Sequence, residues 1–236
     1  MSTPRSSARS AWLALFLIAP AASAGVTANI FFQGSALGVG LWVAGKLWLF
    51  GLPVVWHSWV DRMPWKWPTI MGGPSPARGY EQALLTGIAA SAVLAGAYFA
   101  WGSQLIDRGV IREALQPMGL LDPTTYLMAS AYWILINSVL EEYVYRWFIV
   151  SRCVRVMGVL PAVLVSASVF VVHHILAMGQ YFSWQLTALG TVTIFVAGAV
   201  WSWLYQRFEN IWVPYLSHAI VDLTVFAIGY DLLFRH

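Results

Sequence analysis

The chain has 236 residues, of which 59% are hydrophobic and 10% charged, with a formal net charge of +3 and a mean hydropathy of +0.68. A soluble domain carries about 25% charged residues, so a water-facing globule is excluded, as is a disordered chain. With Cys153 the sole cysteine, an intrachain disulfide scaffold is excluded too. Thirteen Lys and Arg are scattered along the sequence and form no patch for nucleic acid. They read instead as topology signals of a polytopic, all-α membrane protein.

A helix needs about 20 apolar residues to cross the hydrocarbon layer. Seven predicted spans follow in chain order: Trp12–Ile30, Ala36–Val55, Ala83–Leu105, Thr125–Val150, Val159–Met178, Trp184–Tyr205 and Ile211–Leu233. The run Ala11 to Gly45 has no charge and is too long for one span; Gly25 and Gly34 are its only predicted breaks. Arg5 and Arg9, the apolar run Ala11–Pro20 and Ala22-Ser23-Ala24 match a secretory signal with an A-x-A-like cleavage site. Residues 1–24 are therefore a cleaved signal or an uncleaved signal-anchor. Residues 25–236 form a single integral-membrane domain, with six spans if the signal is removed.

Orientation follows from the excess of Lys and Arg on cytoplasmic segments. With the N-terminus inside, the inner segments hold Arg5, Arg9, Arg62, Lys66, Arg78, Arg152, Arg155 and Arg207, against Arg108, Arg112 and Arg235 outside. Lys46 and Arg146 sit within spans. This predicts an N-inside, C-outside protein of the cell membrane. Trp56, Trp59, Trp65, Trp67, Trp147 and Trp212 fall where an interfacial tryptophan belt is expected. The His57–Tyr80 loop, rich in Pro, Gly and Trp, is expected to lie at the inner interface.

Ionisable residues inside spans are costly, at about 2.5–3.5 kcal/mol each on insertion scales, and mark function by default. The last four spans hold Glu141, Glu142, Arg146, His173, His174, His218 and Asp222. Glu142 and Arg146 are i, i+4 and can pair on one face. Asn137, Glu141 and Tyr145 form a neighbouring stripe. Phe170 with His174, and His218 with Asp222, repeat the i, i+4 spacing. Spans four and five must turn near Met157–Gly158, which puts Glu141 and His174 at one level, and with the fourth span leaving the bilayer near Arg152 that level is about 16 Å deep at 1.5 Å per residue. His218 lies about as far past its own turn at Arg207–Asn210. Three helices thus bring two carboxylates and two imidazoles to one depth.

In order, these residues read as EExxxR at Glu141–Arg146, FxxxH at Phe170–His174 and HxxxD at His218–Asp222. The ordered trio resembles the CPBP family of CAAX-prenyl-protease-like and bacteriocin-processing membrane proteins, over a core of about residues 125–222. The resemblance implies a glutamic-type intramembrane endopeptidase acting on a membrane-associated protein or peptide. Glu141 would act with His174 to activate water, and His218 and Asp222 would support the oxyanion. Glu142, Arg146, Asn137 and His173 would be supporting residues, with Glu142–Arg146 holding the fourth helix. Two positions depart from the family pattern: Trp147 stands where Gly often follows the arginine, and the third motif ends in Asp222 rather than Asn. An ionised Asp222 donates no hydrogen bond, so its expected task is to fix the His218 tautomer.

Other readings use the same residues. Glu141, His173, His174, His218 and Asp222 suit a metal, which makes a metal-dependent membrane hydrolase one alternative; otherwise the chemistry calls for no cofactor. A proton relay, or a non-catalytic scaffold or immunity protein with the family fold, is the other. No HExxH zinc motif is present. Read singly, His173 is an interhelical hydrogen-bonding residue, and Cys153 has no partner spacing for a nucleophile.

Overall fold

A computed structural model describes residues 8–32, 35–63 and 77–235. The expectations for Arg5, Gly34, Trp65, Lys66, Trp67 and the middle of the His57–Tyr80 loop lie outside the described residues. Among the described residues there are helices and turns but no strand. The helices are α1 (Ala8–Ile18), α2 (Ala21–Phe31), α3 (Ala36–Val60), α4 (Ala77–Leu105), α5 (Arg108–Leu115), α6 (residues 123–157), α7 (Val159–Met178), α8 (Trp184–Phe208) and α9 (Trp212–Phe234).

Among the described residues six stretches are long and apolar enough to cross a membrane: Ala8–Ala28, which joins α1 to the start of α2, and α3, α4, α7, α8 and α9. The fourth predicted span is the exception. Residues 123–157 are helical throughout, but they carry the charges of the first motif, and the segment Glu142–Val150 is buried at every position. Enclosed by α3, α7 and α8, it faces protein rather than lipid and has no need of an apolar exterior. Elsewhere Leu85, Val93, Leu160, Leu189, Val192 and Leu223 remain exposed, as side chains facing acyl chains should. The chain is a multi-pass, all-helical membrane protein.

Sequence chemistry sets the ends of these helices. Ser35, Asp107 and Asp122 are N-caps whose side-chain oxygens accept from the backbone N–H of Gly38, Gly109 and Thr125, respectively. Pro123 occupies the first position of α6, where its missing N–H costs nothing. Gly158 turns α6 into α7 at φ +82°, a conformation glycine adopts without a Cβ penalty. The α8–α9 turn falls at Glu209–Asn210, with Glu209 at φ +48°. Both turns lie where the motif depths require them.

Two expectations are corrected. The long N-terminal run breaks at Ala19–Pro20, not at Gly25, because proline lacks the N–H that would continue α1. Gly25 instead sits inside α2 against Gly45 of α3, close enough that a Cβ on Gly45 would lie 3.3 Å from the Gly25 Cα. The tryptophan belt is also partial. Trp59 is exposed, but Trp56 and Trp147 are only 5% exposed and belong to the core. Trp147 stacks on Tyr143 at 5.1 Å and tilts against His57 at 5.3 Å, so the bulky residue after the motif arginine fills space between α6 and α3.

Candidate active site

The site grows from the middle of α6. From Glu142 to Val150 the backbone bonds in the wider i→i+5 pattern of a π-helix, a form that concentrates at functional sites. Arg146 Nε donates to Glu142 Oε2 at 3.1 Å, and both side chains are fully buried. The two terminal guanidinium nitrogens of Arg146 have no hydrogen-bond partner among the described residues. They face rings instead, with Cζ 4.9 Å from the Phe170 centroid and 5.6 Å from that of Trp201, a favourable placement for a cation. The pair ties α6 to α7 and α8 without reaching the accessible part of the site.

The second oxygen of Glu142 holds the third motif. Oε1 lies 2.9 Å from His218 Nδ1, so an ionised Glu142 keeps a proton on that nitrogen. This differs from the expectation for Asp222, because the i, i+4 spacing of His218 and Asp222 brings Asp222 to the opposite nitrogen. His218 Nε2 is 3.5 Å from Asp222 Oδ2 and 3.7 Å from Glu141 Oε2. Asp222 also accepts from Ser138 Oγ at 2.5 Å. Trp201 covers the imidazole, stacked at 3.9 Å and 18°, and its indole N–H donates to Ser217 Oγ at 3.2 Å. His218 is thereby held on both faces of its role: one nitrogen bonded, the other aimed between two carboxylates.

His174 arrives from α7. Its Nδ1 is 2.9 Å from the Phe170 carbonyl oxygen. A carbonyl can only accept, so Nδ1 carries the proton and the neutral ring keeps its lone pair on Nε2. His174 lies in the electrostatic field of Glu141, His218 and Asp222. Gly198 of α8 makes room for the motif phenylalanine, since a Cβ there would sit 3.2 Å from Phe170 Cδ1. His173 turns away toward Tyr145, whose hydroxyl is 3.3 Å from His173 Nδ1 with the rings stacked at 15°.

The cluster therefore has two layers. Glu142, Arg146 and His218 are buried, whereas the carboxylates of Glu141 and Asp222 keep 13% and 22% of their side-chain surface accessible. The accessible layer is where a water and a peptide could meet. Asn137 Nδ2 donates to Glu141 Oε1 at 2.8 Å, and Lys46 Nζ of α3 reaches Asn137 Oδ1 at 3.3 Å. The motif spacing gives no sign of Lys46, Ser138 or Trp201. For Lys46 the available signal was its charge in the middle of a span; for Ser138 and Trp201 there was none.

Among the described residues, no three His, Cys, Asp or Glu side chains are arranged to hold a metal. Two of the candidate nitrogens, Nδ1 of His174 and of His218, are committed to protein acceptors. No curated protein and no solved structure matches the chain. Residues 123–224 match the family model described as type II CAAX prenyl endopeptidase Rce1-like. Everything from Asn137 to Asp222 lies inside that match, so the segment holding the candidate site is similar to the Rce1-like membrane endopeptidases.

Proposed function

We propose that the protein is a glutamic-type intramembrane endopeptidase that cleaves a membrane-associated protein or peptide. The observation carrying this reading is the convergence of α6, α7 and α9 on one point: His218 Nε2 within 3.7 Å of Glu141 and 3.5 Å of Asp222, with His174 in the same field. Glu141 takes a proton from water and the resulting hydroxide oxygen attacks the scissile carbonyl carbon, forming a tetrahedral oxyanion. That proton passes to the amide nitrogen as the C–N bond breaks, with His174 Nε2 as the relay. A positioned base of this kind contributes about 10²–10⁴-fold to rate. With Nε2 protonated, His218 is a donor for the oxyanion, held in place by Glu142. Burial of the His218 ring under Trp201 strengthens that interaction.

Membrane location, N-inside orientation and access from the cytoplasmic side are part of the proposal, as is retention or removal of residues 1–24. The test compares the termini of membrane proteins in cells carrying wild type, Glu141→Gln or His174→Ala at equal accumulation. Loss of the same set of new termini in both variants supports the protease and delivers its substrate. An unchanged set of termini, with a phenotype that still follows the protein, favours the scaffold.

A further inference from the structure

We infer that Lys46 is a positioning residue for Glu141, acting through the Asn137 amide; the inference rests on the proposed protease reading for its catalytic consequence. Lys46 sits in the middle of α3, 91 residues from Asn137 in sequence and outside the segment 123–224 that matches the family model. A lysine at that depth is expensive unless it is partnered. Its ammonium is surrounded by Trp42, Phe50 and Trp133, with centroids at 5.7, 5.5 and 5.6 Å. Its hydrogen-bond partner there is Asn137 Oδ1 at 3.3 Å, and the charge acting on it is that of Glu141.

The chemistry of the amide makes this a directed chain. Asn137 donates through Nδ2 to Glu141 Oε1 at 2.8 Å. Turning the amide over would set its NH₂ against the ammonium and its carbonyl against the carboxylate, and both contacts would be repulsive. Lys46 and Glu141 therefore fix the same orientation of Asn137 from opposite ends. With one oxygen of Glu141 occupied by that amide, Oε2 is the oxygen turned toward His218 Nε2. Without the cation, Glu141 alone selects this amide orientation, and the carboxylate is held less firmly in its rotamer. The neighbouring pair Glu142–Arg146 has its own cation in the same helix; Glu141 obtains one from α3.

The test uses the full-length protein in liposomes with a farnesylated, internally quenched peptide. Lys46→Met preserves the unbranched stem among the three rings and removes the charge. The expected result is a fall in kcat of about 10- to 100-fold, the scale of a small misplacement of a reacting group, with KM little changed. Lys46→Arg restores most of the rate. Asn137→Ala shows a similar loss, and the double variant is no worse than Asn137→Ala alone. Wild-type kcat in Lys46→Met, or losses that multiply in the double variant, overturns the inference. A second arm is independent of turnover: the Glu141 carboxyl band in difference infrared spectra, assigned by its loss in Glu141→Gln. It moves in Lys46→Met and returns in Lys46→Arg if Lys46 orders Glu141; an unmoved band overturns the inference. A moved band with no peptide cleaved by wild type leaves Lys46 ordering Glu141 and rejects the cleavage of prenylated peptides instead.

Discussion

His218 Nδ1 lies 2.9 Å from an oxygen of Glu142, while the other oxygen of the same carboxylate holds Arg146 at 3.1 Å. One buried side chain thus joins the first and third sequence motifs, and the arginine neutralises the charge that the histidine needs beside it. Removing Arg146 leaves that carboxylate uncompensated. Arg146→Leu is expected to destabilise the protein by about 3–5 kcal/mol, the usual cost of breaking a buried pair. Arg146→Leu combined with Glu142→Gln should recover part of the stability but none of the activity, since the His218 anchor is altered. Unfolding midpoints in detergent, read beside peptide cleavage, check both halves.

Asp222 stands where the family pattern has Asn. Because Glu142 holds Nδ1 of His218, an ionised Asp222 is not needed to set the tautomer. Asp222→Asn is expected to keep kcat within about tenfold of wild type, as an amide can still accept from Ser138 and gains an N–H for an oxyanion. A loss as deep as that of Glu141→Gln would make the charge of Asp222 essential and redraw the oxyanion side of the mechanism.

α4 and α9 cross at Gly87, where an added Cβ would lie 3.1 Å from Ile220 Cβ and from the Ser217 Cα. Ser217 shares a 3.0 Å hydrogen bond with Thr86 and accepts from Trp201, which stacks on His218. Gly87→Val should cost about 1–3 kcal/mol through overpacking and lower kcat by displacing α9. The substitution Leu85→Val on the exposed side of the same helix is the control, with both effects expected to be small.

Asp122 caps the N-terminus of α6. Its carboxylate accepts from the Thr125 backbone N–H at 2.8 Å and the Thr125 hydroxyl at 2.9 Å, and these bonds hold its pKa below the ordinary 3.8. A depressed carboxylate pKa contributes stability above the unfolded value and loses it as pH falls through the folded one. Asp122→Ala should therefore lower the unfolding midpoint near neutral pH, and the gap to wild type should close as the pH drops below 3.8. An equal gap at every pH would assign the effect to packing.

The sequence is informative where contacts are local. Apolar runs locate the membrane helices, Gly158 and Glu209–Asn210 fall at the turns that align the motifs, and the i, i+4 spacing already pairs Glu142 with Arg146. What is illegible is which helix lies beside which. Lys46 meets Asn137, and Trp201 meets His218, across separations that no periodicity encodes. The run of i→i+5 bonding from Glu142 to Val150 is equally hidden, since a π-turn changes the backbone bonding without changing the residue types. Pro20, rather than Gly25, ends α1 because a missing donor interrupts a helix more strongly than a missing side chain.

The proposed role of Glu141 is that of the base that activates water. It is tested most directly by purified wild type and Glu141→Gln in liposomes, both showing the same unfolding midpoint, with cleavage of the farnesylated peptide followed at saturating concentration. The expected result is a fall in kcat of about 10²–10⁴-fold for Glu141→Gln. A folded Glu141→Gln protein that cleaves the peptide at the wild-type rate would contradict it.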